Sequence, residues 1–112
     1  MKKSCTVIID SSKSNETSVT IKTDGIEKEK KYVSERHTSQ QVLSIIESLL
    51  LENHLTKEDI TSIEIHTGPG SFTGLRVGVC IAKTLGLLLD IPVNGKGWNH
   101  TIVLNYGVDR FL

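Results

Sequence analysis

The segment Thr67-Gly-Pro-Gly-Ser-Phe-Thr-Gly-Leu-Arg-Val-Gly-Val79 constrains the fold more than any other part of the chain. Just before it, Ile63 and Ile65 alternate with Glu64 and His66, the pattern of a half-buried strand. Gly68-Pro-Gly70 ends that strand abruptly, and an apolar run predicts a long helix from about Phe72 to Leu89. A strand, a glycine-rich turn and a helix N-terminus in series form an anion-binding arrangement, because unpaired amides and the helix dipole converge there. Two nucleotide motifs fail on spacing. A P-loop needs Lys and Ser/Thr after its last glycine, and Gly74-Leu-Arg lacks them. The dinucleotide fingerprint GxGxxG becomes GxGxxxG through Gly68, Gly70 and Gly74, with Pro69 inside, and Asp90 precedes the next strand instead of ending it. Two readings of the turn stay open: a phosphate-binding loop using Gly68, Gly70, Ser71 and Thr73, and a tight structural turn.

The helix behind the turn carries Gly74, Gly78, Ala82 and Gly86 at intervals of four, a side almost without bulk. Glycine inside a helix costs roughly 0.5–1 kcal/mol relative to alanine, so something packs closely there, either the sheet beneath or another helix. Leu75, Val79, Leu85, Leu88 and Leu89 cover much of the remaining surface. A helix this apolar needs cover on most sides. A chain of 112 residues offers one sheet and one other helix, and that deficit argues for a partner.

Upstream, Cys5 to Ile9 reads as a buried first strand ending at Asp10, and Ser18 to Lys22 as a half-buried second. Asp24-Gly25 is a type I′ hairpin pair leading into a charged third strand, Ile26 to Val33, near an edge. Thr38 and Gln41 fit a capping box for a helix whose core stripe is Val42, Ile45, Ile46, Leu49 and Leu50. Leu43 and Leu51 widen that stripe into either a broad core face or a partner surface. Thr56 to Asp59 suggests a short helical start, Ile91 to Asn94 a fifth strand, and Thr101 to Tyr106 a last one. The order is β-β-β-α-β-α-β: an α/β mixed sheet with helices, with residues 1–95 as one lobe and 96–112 as a tail.

Thirteen basic residues balance thirteen acidic ones, so no global field draws the chain to nucleic acid. Cys5 and Cys80 sit in apolar runs and read as small buried hydrophobes, with no CxxC or His pairing for zinc. Lysine, threonine and glycines break the stretch from Val77 to Leu89, so it does not read as a membrane span, and no signal-peptide core follows Met1. These features place the chain in the cytoplasm.

The stretch Gly68 to Val79, then Ala82-Lys83 and Ile91-Pro-Val93, resembles the signature of TsaB (YeaZ) proteins. Ile8-Ile9-Asp10-Ser-Ser is similar to their opening strand, and Arg36-His37-Thr38-Ser39 to the entry of their first helix. The match covers roughly residues 5 to 95. The resemblance implies one lobe of the actin-like ATPase (ribonuclease-H-like) fold. It also implies a non-catalytic dimerization subunit with no cofactor or metal of its own. Its implied partners are a TsaD-like catalytic subunit and a TsaE-like ATPase. These act together in threonylcarbamoyl transfer to the tRNA adenosine beside the anticodon. This chain would touch tRNA only indirectly, and would self-associate when alone. On this reading the partner-binding residues are Leu43, Ile46, Leu50, Gly74, Gly78, Ala82 and Leu85. The alternative is the TsaD-like, glycoprotease-like paralogue, whose metal site uses Asn-His with a second His four residues on. Here Asn99-His100 is followed at that spacing by Leu104, and His37, His54 and His66 are scattered. Family members continue into a second lobe. A single lobe cannot close an actin-like nucleotide cleft, so Asp10 reads as a cap of the turn after the first strand.

Overall fold

The computed structural model describes residues 4–13, 15–33 and 39–105. Its elements are β1 (Cys5–Lys13), β2 (Glu16–Thr23), β3 (Ile26–Val33), α1 (Ser39–Glu52), a 3-10 turn (Lys57–Asp59), β4 (Ile60–Ile65) and α2 (Phe72–Leu89). The strands form one sheet in the order β3-β2-β1-β4. β1 pairs antiparallel with β2 and parallel with β4, which makes the sheet mixed. Asp24 and Gly25 turn the β2–β3 hairpin at φ 47 and 79, the positive values that a type I′ pair requires.

Alternation along β1 assigns the two sides of the sheet. Cys5, Val7, Ile9 and Ser11 are buried, while Thr6, Ile8, Asp10 and Ser12 are half-buried. α2 lies on the buried side, since a Cβ added at Gly78 would stand 2.5 Å from Ser11 Oγ and within 4.0 Å of Ile9. α1 lies on the same side. Lys30 is opposite Val19, which is opposite Ile9, and the Lys30 ammonium reaches Ser48 and Glu52 of α1. Both helices therefore cover one side. The other is polar, with Thr6 and Ser62 hydroxyls 2.9 Å apart. The core is the apolar layer between: Val7, Ile9, Val19 and Ile21 from the sheet, Val42, Ile45 and Leu49 from α1, and Leu75, Ile81 and Ala82 from α2.

Several expectations are altered. β1 continues past Asp10 to Lys13, with an irregularity in its pairing to β2 after Asp10. The fifth strand shrinks to a parallel bridge between Ile63 and Val93. Its physical reason is Asn94, whose φ of 51 turns the chain away together with Gly95 at 79. The Asn94 amide then takes the next ladder position itself, its Oδ1 accepting from Ile65 N at 2.8 Å. Residues 101–105 form no strand; instead Asn105 N donates to Thr67 O at 2.8 Å, and Trp98 packs beside Gly86 of α2. Cys5 is buried as expected, and burial pushes its thiol pKa up, with the Asp59 charge adding to that. Cys80 is exposed, on the side of α2 turned away from the sheet. The 3-10 turn has its own box, with the Thr56 amide and hydroxyl both donating to Asp59 Oδ2. Thr38 and Tyr106, and with them the expected α1 capping box and the end of the expected last strand, lie outside the described residues.

Gly78→Ala gains helix propensity but drives a methyl into Ser11 Oγ, and overpacking of this kind costs about 1–3 kcal/mol. Urea unfolding is expected to show Gly78→Ala as clearly destabilised. Adding Ser11→Ala, which removes the obstructing oxygen, is expected to return a substantial part of the loss. Strictly additive effects in this double-mutant cycle would refute the packing account.

Candidate functional site

The glycine-rich turn is tied to the end of β1. Ser12 O accepts from Ser71 N at 2.6 Å, and a Cβ at Gly70 would collide with the Ser12 backbone. Ser71 is the N-cap of α2, its Oγ accepting from Gly74 N at 3.2 Å. Ser11, fully buried, donates from Oγ to Gly74 O at 2.6 Å. Of the amides that could face an anion, those of Ser71 and Gly74 are thus already paired inside the chain. Thr73 is exposed beside them. Gly68, half-buried, lies against the Asn105 backbone and donates from N to His66 Nδ1 at 3.2 Å. The tight-turn reading accounts for each of these contacts.

Asp10 Oδ1 accepts from Ser12 N at 3.0 Å and from Ser12 Oγ at 2.6 Å. Burial opposes its ionisation, but these two hydrogen bonds, helped by the charges of His66 and Lys13, hold its pKa below the usual value. The aspartate thus stiffens the segment that carries the Ser11 and Ser12 contacts. His100 Nδ1 lies 2.6 Å from Gly97 O, and His54 is exposed at the end of α1 with φ 57. His37 lies outside the described residues. Among the described residues, no three His, Cys, Asp or Glu side chains converge as a metal site.

The residues expected to bind a partner divide into two groups. Ile46, Leu50, Gly74, Gly78 and Ala82 are buried within the lobe, and at Gly78 the close neighbour is Ser11 of the sheet. Leu43 is exposed and Leu85 half-buried. The outward apolar surface is made instead by Leu43 and Leu51 of α1, 39% and 79% exposed, and Leu87 and Leu88 of α2, 53% and 72% exposed. A groove of about 700 Å³ continues from Leu88 down between α2 and the 3-10 turn, lined by Leu85, Leu89, Ile91 and Pro92. Leu87 and Leu88 could have been found from the sequence by subtracting the glycine stripe from the helix and asking what remained apolar.

A one-sided α/β sheet with this order and a glycine-rich β4–α2 joint is one lobe of the actin-like, ribonuclease-H-like architecture. A family model described as "TsaD: tRNA N6-adenosine threonylcarbamoyltransferase" matches residues 8–107. The tRNA threonylcarbamoyladenosine biosynthesis protein TsaB of Bacillus subtilis is 36% identical over 74 residues, 66% of this chain and 32% of that protein. The Escherichia coli TsaB is 35% identical over 54% of this chain and 26% of its own length. A tRNA N6-adenosine threonylcarbamoyltransferase of Listeria welshimeri is 32% identical over 70% of this chain and 22% of its own length. The solved structure of YeaZ from Pseudomonas aeruginosa superposes with a TM-score of 0.75 at 28% identity, covering 80% of this chain and 42% of that one. The chain belongs to this TsaD-type family, in its TsaB (YeaZ) branch. It spans about a third or less of the length of the curated relatives it matches.

Asp10 also sets a pH dependence. A carboxylate whose folded pKa is depressed contributes stability that is fully present above its unfolded value, about 3.9, and is lost as pH falls toward the folded value. The stability difference between the parent chain and Asp10→Asn is therefore expected to be present at about pH 5 and to shrink below about pH 4. Urea midpoints measured across that range test this, and a pH-independent difference would contradict it.

Proposed function

We propose that the chain acts as a non-catalytic dimerization subunit, docking a TsaD-like catalytic protein through the outward surfaces of α1 and α2. The observation that carries this reading is that Leu51, Leu87 and Leu88 on the two helices are each more than half exposed, with Leu43 partly so. Where exposed apolar side chains group into a patch they mark an interaction site, and the aspartate variants below test whether these do. The names of the relatives supply the pathway, threonylcarbamoyladenosine biosynthesis on tRNA; the adenosine beside the anticodon as target and a TsaE-like ATPase as further component are what the family resemblance implies. The balanced charge of the chain favours indirect contact with tRNA, through the partner. Local engagement of Asp10, His66 and His100 supports a subunit without its own chemistry. A cytoplasmic site of action fits this reading. Among the described residues no helix is long and apolar enough to cross a membrane.

The test is co-elution of the chain with the TsaD-like protein of the same organism on a sizing column with light scattering. Leu88→Asp or Leu51→Asp is expected to weaken the complex at least about tenfold while leaving the circular dichroism unchanged, since both side chains are exposed. Buried Leu50 and Gly78 are unsuitable targets because charging them would unfold the lobe. A complex indifferent to both aspartates would remove the helical surface from the interface. Threonylcarbamoyl transfer by the chain alone would instead favour the transferase reading that the family description raises.

A further inference from the structure

β4 forms the other edge of the sheet, and Ile63, Ile65 and Thr67 turn backbone groups away from β1. An open strand edge invites pairing and is ordinarily covered. Here the cover comes from the residues that follow α2. Ile63 N donates to Pro92 O at 3.0 Å, and Asn94 N donates to Ile63 O at 2.8 Å. The Asn94 side chain then serves both groups of Ile65, its Oδ1 accepting from the N–H at 2.8 Å and its Nδ2 donating to the C=O at 3.4 Å. Thr67 O receives Asn105 N at 2.8 Å. Between Asn94 and Asn105 no helix or strand forms beyond the Val93–Lys96 bridge. The segment is held by packing instead. Trp98 and Ile102 lie against the core, and a Cβ added at Gly86 would stand 2.6 Å from Trp98 Cβ. The Asn105 backbone occupies the space a side chain at Gly68 would need.

We propose that residues 94–105 are a strap that opens and closes as one unit over the β4 edge, with the Asn94 side chain as its latch. Segments with sparse contacts and few internal backbone hydrogen bonds are the ones that open without global unfolding. This segment meets the rest of the lobe at separated points: the latch at Ile65, Trp98 on Gly86, and Asn105 at Thr67 and Gly68. Asn94, at φ 51, already directs the chain out of the ladder, so no strand pairing holds the strap once the latch is gone. Closed, the strap satisfies Ile65 and Thr67 and supports the glycine-rich turn at Gly68, as the Ser12 backbone supports it at Gly70. Open, it uncovers a strand edge and removes one of those two supports together. The state of the β4 edge is thereby coupled to the turn that starts α2, and the lobe extends to residue 105 instead of giving way to a tail at 96.

Amide hydrogen exchange on the full chain tests this, with the fluorescence of Trp98, the chain's one tryptophan, as a second readout. Asn94→Gly removes the latch yet leaves a residue that adopts positive φ without strain. It is expected to speed exchange of the Ile65 and Asn105 amides together, by about fivefold or more. Trp98 is expected to become more accessible to acrylamide, while the amides of Val7 and Ile21, paired in the middle of the sheet, keep their rates. Gly86→Ala attacks the strap from α2, driving a methyl against Trp98 and Val93, and is expected to speed the same two amides. Faster exchange at Ile65 alone, with Asn105 and Trp98 as in the parent, would mean independent anchors and overturn the strap as a unit. Equal acceleration at Val7 and Ile21 would also overturn it, by making the segment inseparable from the global core. So would an Ile65 amide indifferent to Asn94→Gly.

Discussion

The lobe depends on one joint, where the end of β1 meets the start of α2. Asp10 takes both the amide and the hydroxyl of Ser12, which fixes the direction of the strand end. Ser12 O then receives Ser71 N, and the Ser11 hydroxyl reaches Gly74 O one turn further along. Each of these bonds contributes only about 1 kcal/mol net. Their larger effect is geometric, since they bring the Ser12 backbone against Gly70 and the Ser11 hydroxyl against Gly78 until a Cβ at either position collides. Glycine in a helix costs about 0.5–1 kcal/mol, whereas a forced methyl costs about 1–3 kcal/mol, and this difference settles the residue choice. Two of the stretches that resemble the family, Asp10-Ser-Ser and the glycine-rich segment, are the two halves of this single contact.

Much of this was legible in the sequence, and the limits have physical causes. The hairpin at Asp24-Gly25 and the edge position of β3 follow from turn chemistry and charge, which act locally. The core stripe of α1 follows from helical period. The direction of the glycine stripe was not legible: spacing shows that something approaches closely but not whether it belongs to the same chain, and Ser11 decides it for the sheet. Cys80 sits in an apolar run yet faces outward, because α2 is apolar on more sides than it buries and residue type there loses its meaning as a guide to burial. The shortened fifth strand turns on Asn94, whose side chain imitates a backbone partner for Ile65, a substitution no periodicity can reveal.

The one-sided sheet separates what needs cover from what does not. Its open side carries Thr6, Asp10, Ser12, Ser18, Thr20 and Lys22, groups that water satisfies, as antiparallel pairs commonly allow. The helix side ends in leucines that water does not satisfy. Burying a fully exposed leucine contributes about 1.5–3 kcal/mol, so four partly exposed ones supply a useful but bounded driving force. Association costs an estimated 4–15 kcal/mol or more in lost freedom. On the docking proposed above the leucines would mark where the partner sits without holding it alone, and the groove between α2 and the 3-10 turn would provide further apolar area. A lobe whose open side is mostly polar and whose helix side carries exposed leucines would, on the proposed reading, assemble through the helix side.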